Sequence, residues 1–351
     1  MIPQGSILGP ILFVLFINDL PAGLNPDTNI SMYADDTKIW RTISTESDHA
    51  ALQCDIEYLH NWSLFNKMNF HPQKCKVVSV ANRTPPLLGI LPHIQYFYVL
   101  GNDILVYADG ERDLGVDINT KLNFGEQRDR LLSKANQQFG LTKRTCYFVN
   151  DFRRNRTLYL SLIRSQFEHC SPIWRPTHQT SLDKFENFQK KSIKWILAEE
   201  PMHYDSRGKY IQKCREARVL PLEKRFDFND LTLFFKVVNK LIPLNLPSYL
   251  KFFDGYSRLR SCHLDTLCLV SDIKPKVSSV FSSSKGSALN KSFFYRTHLL
   301  WNKLPFDLRS IKGFSSFRNK LLTFLWGSIN TDGTSDGDLS VDSHSFGREL
   351  G

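Results

Sequence analysis

Two adjacent carboxylates near the N-terminus are the residues of this sequence whose types and spacing best suit chemistry. Tyr33, Ala34, Asp35 and Asp36 form the run Tyr-Ala-Asp-Asp. Carboxylate oxygens are preferred ligands of Mg²⁺ and Mn²⁺, and phosphoryl transfer often uses two such ions about 3.5–4 Å apart. Adjacent side chains point to opposite faces of a regular strand, whereas a tight turn breaks that alternation. The run therefore predicts a metal site at a turn, although aspartates are also ordinary turn residues.

The flanking residues predict a β-hairpin that holds this pair at its tip. Over residues 28–43, Ile30 and Met32 lead into the pair, and Ile39 and Trp40 lead out of it. The small side chain of Ala34 leaves room at the turn for a carboxylate to reach a shared ion.

Helices are predicted on both sides of the hairpin. The apolar stretch Ile7–Ile17 predicts a short buried core helix, because a membrane-spanning helix needs about 20 apolar residues. Apolar spacings of three and four predict further helices over residues 46–66, 126–145, 151–170, 181–198 and 219–242. Ser181 is the expected N-cap of the helix that it opens.

The remaining segments are expected to be short strands, loops and a tail. Short strands are predicted over Lys76–Val80 and residues 93–118, with turns at Gly101-Asn102 and Asp109-Gly110. The Ser/Lys-rich stretch 271–287 predicts a flexible loop, and residues 331–351 predict a disordered acidic tail.

The charge balance favours a polyanionic partner. The 351 residues carry a formal net charge of +10, although the tail over residues 331–351 is itself net negative. A basic body of this kind suits nucleic acid, although a charged soluble surface would show the same excess. The seven cysteines form no Cys-x-x-Cys pair. They indicate free thiols in a reducing compartment, so the expected location is intracellular, in the nucleus or the cytoplasm.

Further motifs surround the Tyr-Ala-Asp-Asp run. Before it stand Pro3-Gln4-Gly5-Ser6, Gly9-Pro10 and Asn18-Asp19-Leu20-Pro21. After it stand Met68–Lys76, Tyr98–Gly101, Arg112–Val116, Leu158-Tyr159, Trp174 and Trp301–Pro305. Over about residues 1–326 the sequence resembles the reverse transcriptases of non-LTR, LINE-type retrotransposons, jockey-like elements in particular. His71 departs from the pattern, since these proteins usually carry asparagine there.

The resemblance implies an α+β fold. It implies a partial right-hand polymerase palm, with an antiparallel sheet and packed helices, followed by a mainly helical thumb and C-terminal region. The expected divisions are a palm with a primer-grip-like hairpin over 1–120, a thumb-like region over 121–200, an element-specific region over 201–330 and the tail over 331–351.

The resemblance also implies roles for individual residues. Asp35 and Asp36 would bind two Mg²⁺ or Mn²⁺ ions and be catalytic, together with Lys74 as a proton donor to the leaving pyrophosphate. The residues expected to bind nucleotide or template are Gln4, Gly5 and Tyr33, and the primer-grip-like residues are Leu114, Gly115 and Val116. The expected contacts to the nucleic-acid backbone are Arg128, Arg130, Lys134, Lys143 and Arg144.

The implied activity is RNA-directed DNA polymerisation, with an RNA template, a DNA primer and dNTP substrates. In this family a third metal-binding aspartate lies on a strand before the Pro-Gln-Gly motif, and neither Asp19 nor Asp27 is expected to replace it. The chain is therefore expected to be a truncated piece that is inactive alone. The alternatives are a non-catalytic nucleic-acid-binding remnant and an unexpressed relic of a mobile element.

Overall fold

The computed structural model describes residues 7–80, 96–148, 151–198, 207–252, 267–269 and 292–329. The chain divides into two compact units, Met1–Asn123 and Phe124–Gly351, called here the first and the second unit. The predictions for Gln4, Gly5, the stretch 271–287 and the tail 331–351 lie outside the described residues.

The first unit combines short helices with paired strands. Its elements are α1 Leu8–Ile17, a 3₁₀ turn Leu20–Gly23, β1 Asn29–Tyr33, β2 Asp36–Trp40, α2 Glu46–Phe65, a 3₁₀ turn Pro72–Lys74, β3 Lys76–Val77, β4 Val99–Leu100, β5 Asp103–Ile104, β6 Val106–Tyr107, β7 Gly110–Asp113 and β8 Val116–Asn119.

The described strands pair two by two. Antiparallel pairs join β1 to β2, β4 to β5 and β7 to β8, and a parallel pair joins β3 to β6. We expected one antiparallel sheet with packed helices, whereas the described residues form separate two-stranded sheets. The strands after β2 are two to four residues long, which leaves little backbone to extend a ladder.

Helix α2 forms the centre of the first unit. Its N-terminus carries a capping box, in which the Asp48 amide donates to the Thr45 hydroxyl at 3.3 Å and the Thr45 amide donates to the Asp48 carboxylate at 3.0 Å. The predicted apolar face is confirmed, since Ile56, Leu59 and Trp62 are buried. These side chains pack on two small cores, so α2 supports both the β1–β2 hairpin and the β4–β5 hairpin.

The position of α1 corrects the prediction of a buried helix. Only Gly9 and Ile17 are buried, whereas Ile11, Leu12 and Leu15 are 56%, 54% and 68% exposed. The helix is apolar on every side, and a helix of that kind normally lies inside a core. Its C-terminal end reaches the small core beside α2, and nothing among the described residues covers the rest.

The second unit is mainly helical. Its elements are α3 Gly125–Thr145, α4 Phe152–Leu158, a π-helical segment Tyr159–Arg164, α5 Ser165–Glu168, α6 Ser171–Trp174, α7 Gln179–Ile196, α8 Arg207–Glu216, α9 Leu222–Val238, β9 Leu250–Phe252, β10 Leu267–Leu269, α10 Phe293–Asn302, α11 Phe306–Arg309 and α12 Phe314–Gly327. Strands β9 and β10 pair antiparallel.

Helix α9 carries the core of the second unit. Phe234 and Phe235 are fully buried and pack against Trp301 and Phe317 from α10 and α12. The predicted apolar face of α7 is confirmed as well, with Leu182, Phe185 and Phe188 buried. Aromatic side chains contribute the largest buried areas in a core, so these rings hold the helices together.

A buried ion-pair network joins α9 to neighbouring helices. Arg175 donates to Asp230 at 2.8 Å and to Asp227 at 2.9 Å, and Arg296 donates to Asp230 at 2.8 Å. Asp230 is fully buried. Burying a carboxylate is costly unless it is paired and hydrogen-bonded, so removing either arginine would leave an uncompensated charge.

Several local predictions need correction. Ser181 lies inside the first turn of α7, which begins at Gln179 after His178. The helix predicted over 151–170 is interrupted by the π-helical segment. The chain bends at Asp109 between β6 and β7, but Gly110 is already the first residue of β7, and a further hairpin turn lies at Leu114-Gly115.

Two general expectations concern cysteines and membranes. Cys54, Cys75, Cys146, Cys170 and Cys214 are free thiols, of which Cys214 is buried and Cys54 is exposed. Among the described helices, none combines the length and the apolarity that crossing a bilayer would require.

Candidate functional site

The Tyr-Ala-Asp-Asp run forms the tip of the β1–β2 hairpin. Tyr33 is the last residue of β1 and faces Asp36, the first residue of β2, so that Ala34 and Asp35 form a two-residue turn. Ala34 has φ +52°, in the left-handed region. Turns of this length favour glycine at positions of positive φ, and an alanine there costs about 1–2 kcal/mol. The run thus holds a tight turn that only small or flexible residues adopt easily.

The hairpin presents its carboxylates to solvent because its other face is occupied. Ile30, Met32 and Ile39 point inward and pack on the core beside α2. Tyr33 is 67% exposed, and Asp35 and Asp36 are exposed as well. The alternation of the two strands therefore leaves two carboxylates accessible at one tip.

The chemistry of this tip suits a hard divalent cation. Asp35 and Asp36 offer oxygen ligands of the kind that Mg²⁺ and Mn²⁺ prefer. Within the described residues there is no group of three or more histidine, cysteine, aspartate or glutamate side chains that could hold a metal. The pair fits part of a metal site, and further oxygen ligands would have to come from outside the described residues, from substrate or from water.

The nearby acid Asp19 has a different role. Its carboxylate accepts a hydrogen bond from the indole Nε1 of Trp62 at 3.0 Å. This carboxylate thus links the segment after α1 to α2.

A second hairpin lies against the first one. Lys38, two residues after Asp36 on the same face of β2, forms an ion pair with Asp113 of β7. Lys76 of β3 donates to Glu111 of β7 at 2.7 Å. Two exposed ion pairs therefore position the β7–β8 hairpin within the first unit, next to the strand that begins with Asp36. Pairs of this exposure stabilise by about 0–1 kcal/mol each, so they orient more than they stabilise.

The three primer-grip-like residues occupy different environments at the tip of the β7–β8 hairpin. Leu114 and Gly115 form its two-residue turn, with φ +46° and +86°. Leu114 is 47% exposed, whereas Val116 is 2% exposed and belongs to the interior. Within this motif, Leu114 is therefore the side chain that reaches the surface.

Lys74 lies on the surface, in the 3₁₀ turn Pro72–Lys74 just before β3. Its amide donates to the carbonyl of His71 at 2.9 Å, which fixes the backbone of the turn.

The five basic residues predicted to follow a nucleic-acid backbone all lie on α3, and they differ in exposure. Lys134, Lys143 and Arg144 are exposed. Arg128 is half-buried and donates to the Trp174 carbonyl at 3.4 Å, and burial lowers the pKa of its guanidinium. Arg130 is half-buried and donates to Gln127. The exposed three are therefore the most accessible cations of this set.

Two features of the surface escaped the sequence reasoning. The first is the ion pair between Lys38 and Asp113. The only hint of it in the sequence is a lysine two residues after the aspartate pair. The second is the exposed pair Tyr147 and Phe148 directly after α3, an aromatic doublet beside two basic residues. By contrast, Trp174 and Trp301 are buried.

Comparison with known proteins shows which family the N-terminal part of the chain resembles. Residues 1–134 match the family described as "Reverse transcriptase (RNA-dependent DNA polymerase)". The chain is 28% identical over 130 residues to the RNA-directed DNA polymerase from mobile element jockey of Drosophila melanogaster, a match that covers 35% of this chain and 13% of that protein.

A second relative extends the similarity further along the chain. The probable RNA-directed DNA polymerase from transposon X-element of Drosophila melanogaster is 22% identical over 222 residues, which cover 58% of this chain and 23% of that protein. The chain thus spans less than a quarter of the length of either curated relative. No solved structure gives a significant match to the chain. Residues 1–134 are thus similar to the reverse transcriptase family, and the resemblance of the chain to the polymerases of non-LTR retrotransposons is confirmed.

Proposed function

We propose that this chain supplies part of the active site and part of the nucleic-acid surface of an RNA-directed DNA polymerase from a mobile element. The observation that supports it best is the exposed Asp35-Asp36 pair at the tip of a hairpin, inside the segment that matches the reverse transcriptase family. The first unit would be a partial palm, and the helices from α3 onward would include the thumb. The substrates would be an RNA template, a DNA primer and dNTPs.

In the proposed reaction, Asp35 and Asp36 hold divalent cations, and Tyr33 flanks the primer end. Mg²⁺ bound at this pair would neutralise charge on the triphosphate and on the attacking oxygen. Lys74 would deliver a proton to the departing pyrophosphate, and Leu114 at the tip of the β7–β8 hairpin would contact the primer strand. Gln4 and Gly5 would line the nucleotide pocket.

We further propose that the 351-residue chain does not polymerise by itself. Two carboxylates are available at the hairpin tip, and the described residues bring no third acidic ligand to them. Catalytic groups act together, so the absence of one ligand can remove most of the rate.

A primer-extension assay tests both statements. Purified chain, an RNA template with an annealed DNA primer, dNTPs and Mg²⁺ are expected to give no extension. Extension that disappears in Asp35→Asn, and persists in the control Asp103→Asn on β5, would overturn the proposed inactivity and keep the polymerase assignment. Extension that Asp35→Asn leaves unchanged would contradict the assigned site.

A second candidate function is nucleic-acid binding without catalysis, favoured by the exposed cations Lys134, Lys143 and Arg144 on α3. Binding to a primer–template duplex should weaken steeply with salt, because each neutralised phosphate contributes about 0.9 to the slope of log K against log salt. A Lys134→Ala variant should lower that slope by about 0.9. Salt-independent binding, or none at low salt, would exclude this function.

A further inference from the structure

Two aromatic side chains stand on the surface of the second unit directly after α3. The rings of Tyr147 and Phe148 lie with centroids 3.8 Å apart and an angle of 35° between their planes. The residues are 70% and 76% exposed. Aromatic side chains of this size usually bury most of their area in a core. Here they contact each other and present an aromatic surface to solvent.

The backbone that carries this pair is held in place. The amide of Cys146 donates to the Thr142 carbonyl at 3.0 Å and extends the helical turn beyond α3. Arg154 of α4 donates to the Cys146 carbonyl at 3.2 Å. The start of α4 is itself capped, because the Asp151 carboxylate accepts from the Arg154 amide at 2.7 Å. Both ends of the connection are therefore anchored to helices.

The surroundings of the aromatic pair are basic. Lys143 and Arg144 are exposed and precede the two rings by four residues, at the end of α3, where the Lys143 ammonium lies 5.5 Å from the centroid of the Phe139 ring. Arg153 is exposed in the first turn of α4. The one acidic residue of segment 143–154, Asp151, is occupied by its capping bond. An aromatic surface next to several cations is complementary to a ligand that carries both a flat π-face and phosphates.

We propose that Tyr147 and Phe148 form a stacking platform for an unpaired base of a single-stranded nucleic acid, with Lys143 and Arg144 holding the adjoining phosphates. The proposal deepens the proposed function and rests on it. Base–aromatic stacking tolerates any sequence, since every base has a π-face, and cations beside it follow the backbone. A purely apolar protein partner would use the rings but not the cations.

The test measures binding of the full chain to a fluorescent 12-nucleotide oligo-dT by anisotropy. Tyr147→Ala/Phe148→Ala should weaken binding about tenfold. The aromatic exchange Tyr147→Phe/Phe148→Tyr should bind like the unmodified chain. Phe306→Ala is the matched control, because it removes another ring of the second unit that is 59% exposed. An abasic oligonucleotide of equal length should bind the unmodified chain as weakly as oligo-dT binds the alanine variant.

Salt dependence separates the rings from the cations. The alanine variant of the rings should keep the slope of log K against log salt, whereas Lys143→Ala/Arg144→Ala should reduce it by about 0.7 for each phosphate that is no longer neutralised. A ring variant that binds oligo-dT unchanged, while the unmodified chain binds it, overturns this inference alone. Absence of oligo-dT binding by the unmodified chain contradicts nucleic-acid binding as a whole. If the ring variant lost binding to phosphatidylserine vesicles but still bound oligo-dT like the unmodified chain, the platform would belong to a membrane surface instead.

Discussion

At the residue scale, the site depends on one alanine in a strained conformation. Ala34 adopts φ +52° so that Tyr33 and Asp36 can pair across a two-residue turn. The small side chain tolerates this backbone, and any β-branched residue would clash with it. The turn therefore fixes where the two carboxylates stand.

Substitution of Ala34 should therefore change the local stability of the hairpin in opposite directions. Ala34→Gly removes the strain and should raise the local free energy of opening by about 0.5–1 kcal/mol, after the larger chain entropy of glycine is subtracted. Ala34→Val should lower it by about 1–3 kcal/mol. Hydrogen exchange of the β1 and β2 amides measures both effects, and equal protection in the three proteins would contradict the strained turn.

At the element scale, α2 organises the first unit, and polar contacts fix the segments that pack on it. The carboxylate of Asp19 accepts from the buried indole of Trp62 at 3.0 Å, which ties the end of α1 to α2. The core beside α2 also supports the inner face of the β1–β2 hairpin. The same small core thus joins the end of α1, α2 and the inner face of the hairpin.

Loss of the Asp19 acceptor should destabilise the first unit. Asp19→Ala leaves the Trp62 Nε1 donor unpaired and should cost about 1.5–3 kcal/mol of unfolding free energy, as for hydrogen bonds to charged groups. In the background Trp62→Phe, where no donor remains, the same substitution should cost much less. Urea denaturation of the four proteins completes the double-mutant cycle, and additive effects of the two substitutions would show that the hydrogen bond contributes nothing.

The elements show how far the sequence could predict the fold. Apolar periodicity predicted the hairpin, α2 and the buried faces of α3 and α7, because these features repeat locally along the chain. The prediction of Ser181 as an N-cap was wrong, because α7 begins earlier, at Gln179 after His178. Periodicity also failed to find the Lys38–Asp113 pair, which joins residues 75 positions apart and has no local signature.

The candidate site was predictable in type but not in completeness. Two adjacent aspartates and a hairpin pattern located the carboxylates at the tip. Neither the sequence pattern nor the described residues supply a third metal ligand there. The exposure of Tyr147 and Phe148 was not predictable either, because aromatic residues are more often found in a core.

At the scale of the whole molecule, the apolar helix α1 is largely exposed among the described residues. The apolar run Ile7–Ile17 predicted a buried core helix from its composition and its length. Burial depends on what packs against the helix, and the described residues cover only its C-terminal end. Exposed apolar surface of this extent favours association with another surface.

Polar substitutions on α1 should reduce self-association without unfolding the chain. Leu12 and Leu15 are 54% and 68% exposed, so Leu12→Gln/Leu15→Gln should change unfolding free energy by less than about 0.5 kcal/mol. Light scattering should show smaller particles. The control Leu20→Gln removes a fully buried side chain and should cost about 2–5 kcal/mol. Unchanged scattering by the double variant would show that α1 does not drive association.

Acid should weaken the second unit through Glu168. Burial opposes the ionisation of Glu168, but its ion pairs with Arg164 at 2.9 Å and Arg225 at 2.6 Å outweigh that effect and lower its pKa below the ordinary 4.5. A carboxyl whose pKa is lower in the folded state stabilises the fold at higher pH, and this contribution is lost as pH falls below about 4.5 toward the folded pKa. The unfolding free energy of the Glu168→Gln variant should depend less on pH in that window than the unfolding free energy of the unmodified chain does. Equal acid sensitivity would contradict the assignment.

The central claim is that Asp35 and Asp36 bind a divalent cation at the hairpin tip. Titration of Mn²⁺, followed by electron paramagnetic resonance of the free ion, measures this binding directly in the 351-residue chain. We expect one weak Mn²⁺ site, which Asp35→Asn/Asp36→Asn should abolish. The matched control Asp103→Asn/Asp109→Asn, which neutralises two exposed acids of the same unit, should keep that site. Equal Mn²⁺ binding by the unmodified chain and by Asp35→Asn/Asp36→Asn would contradict the account.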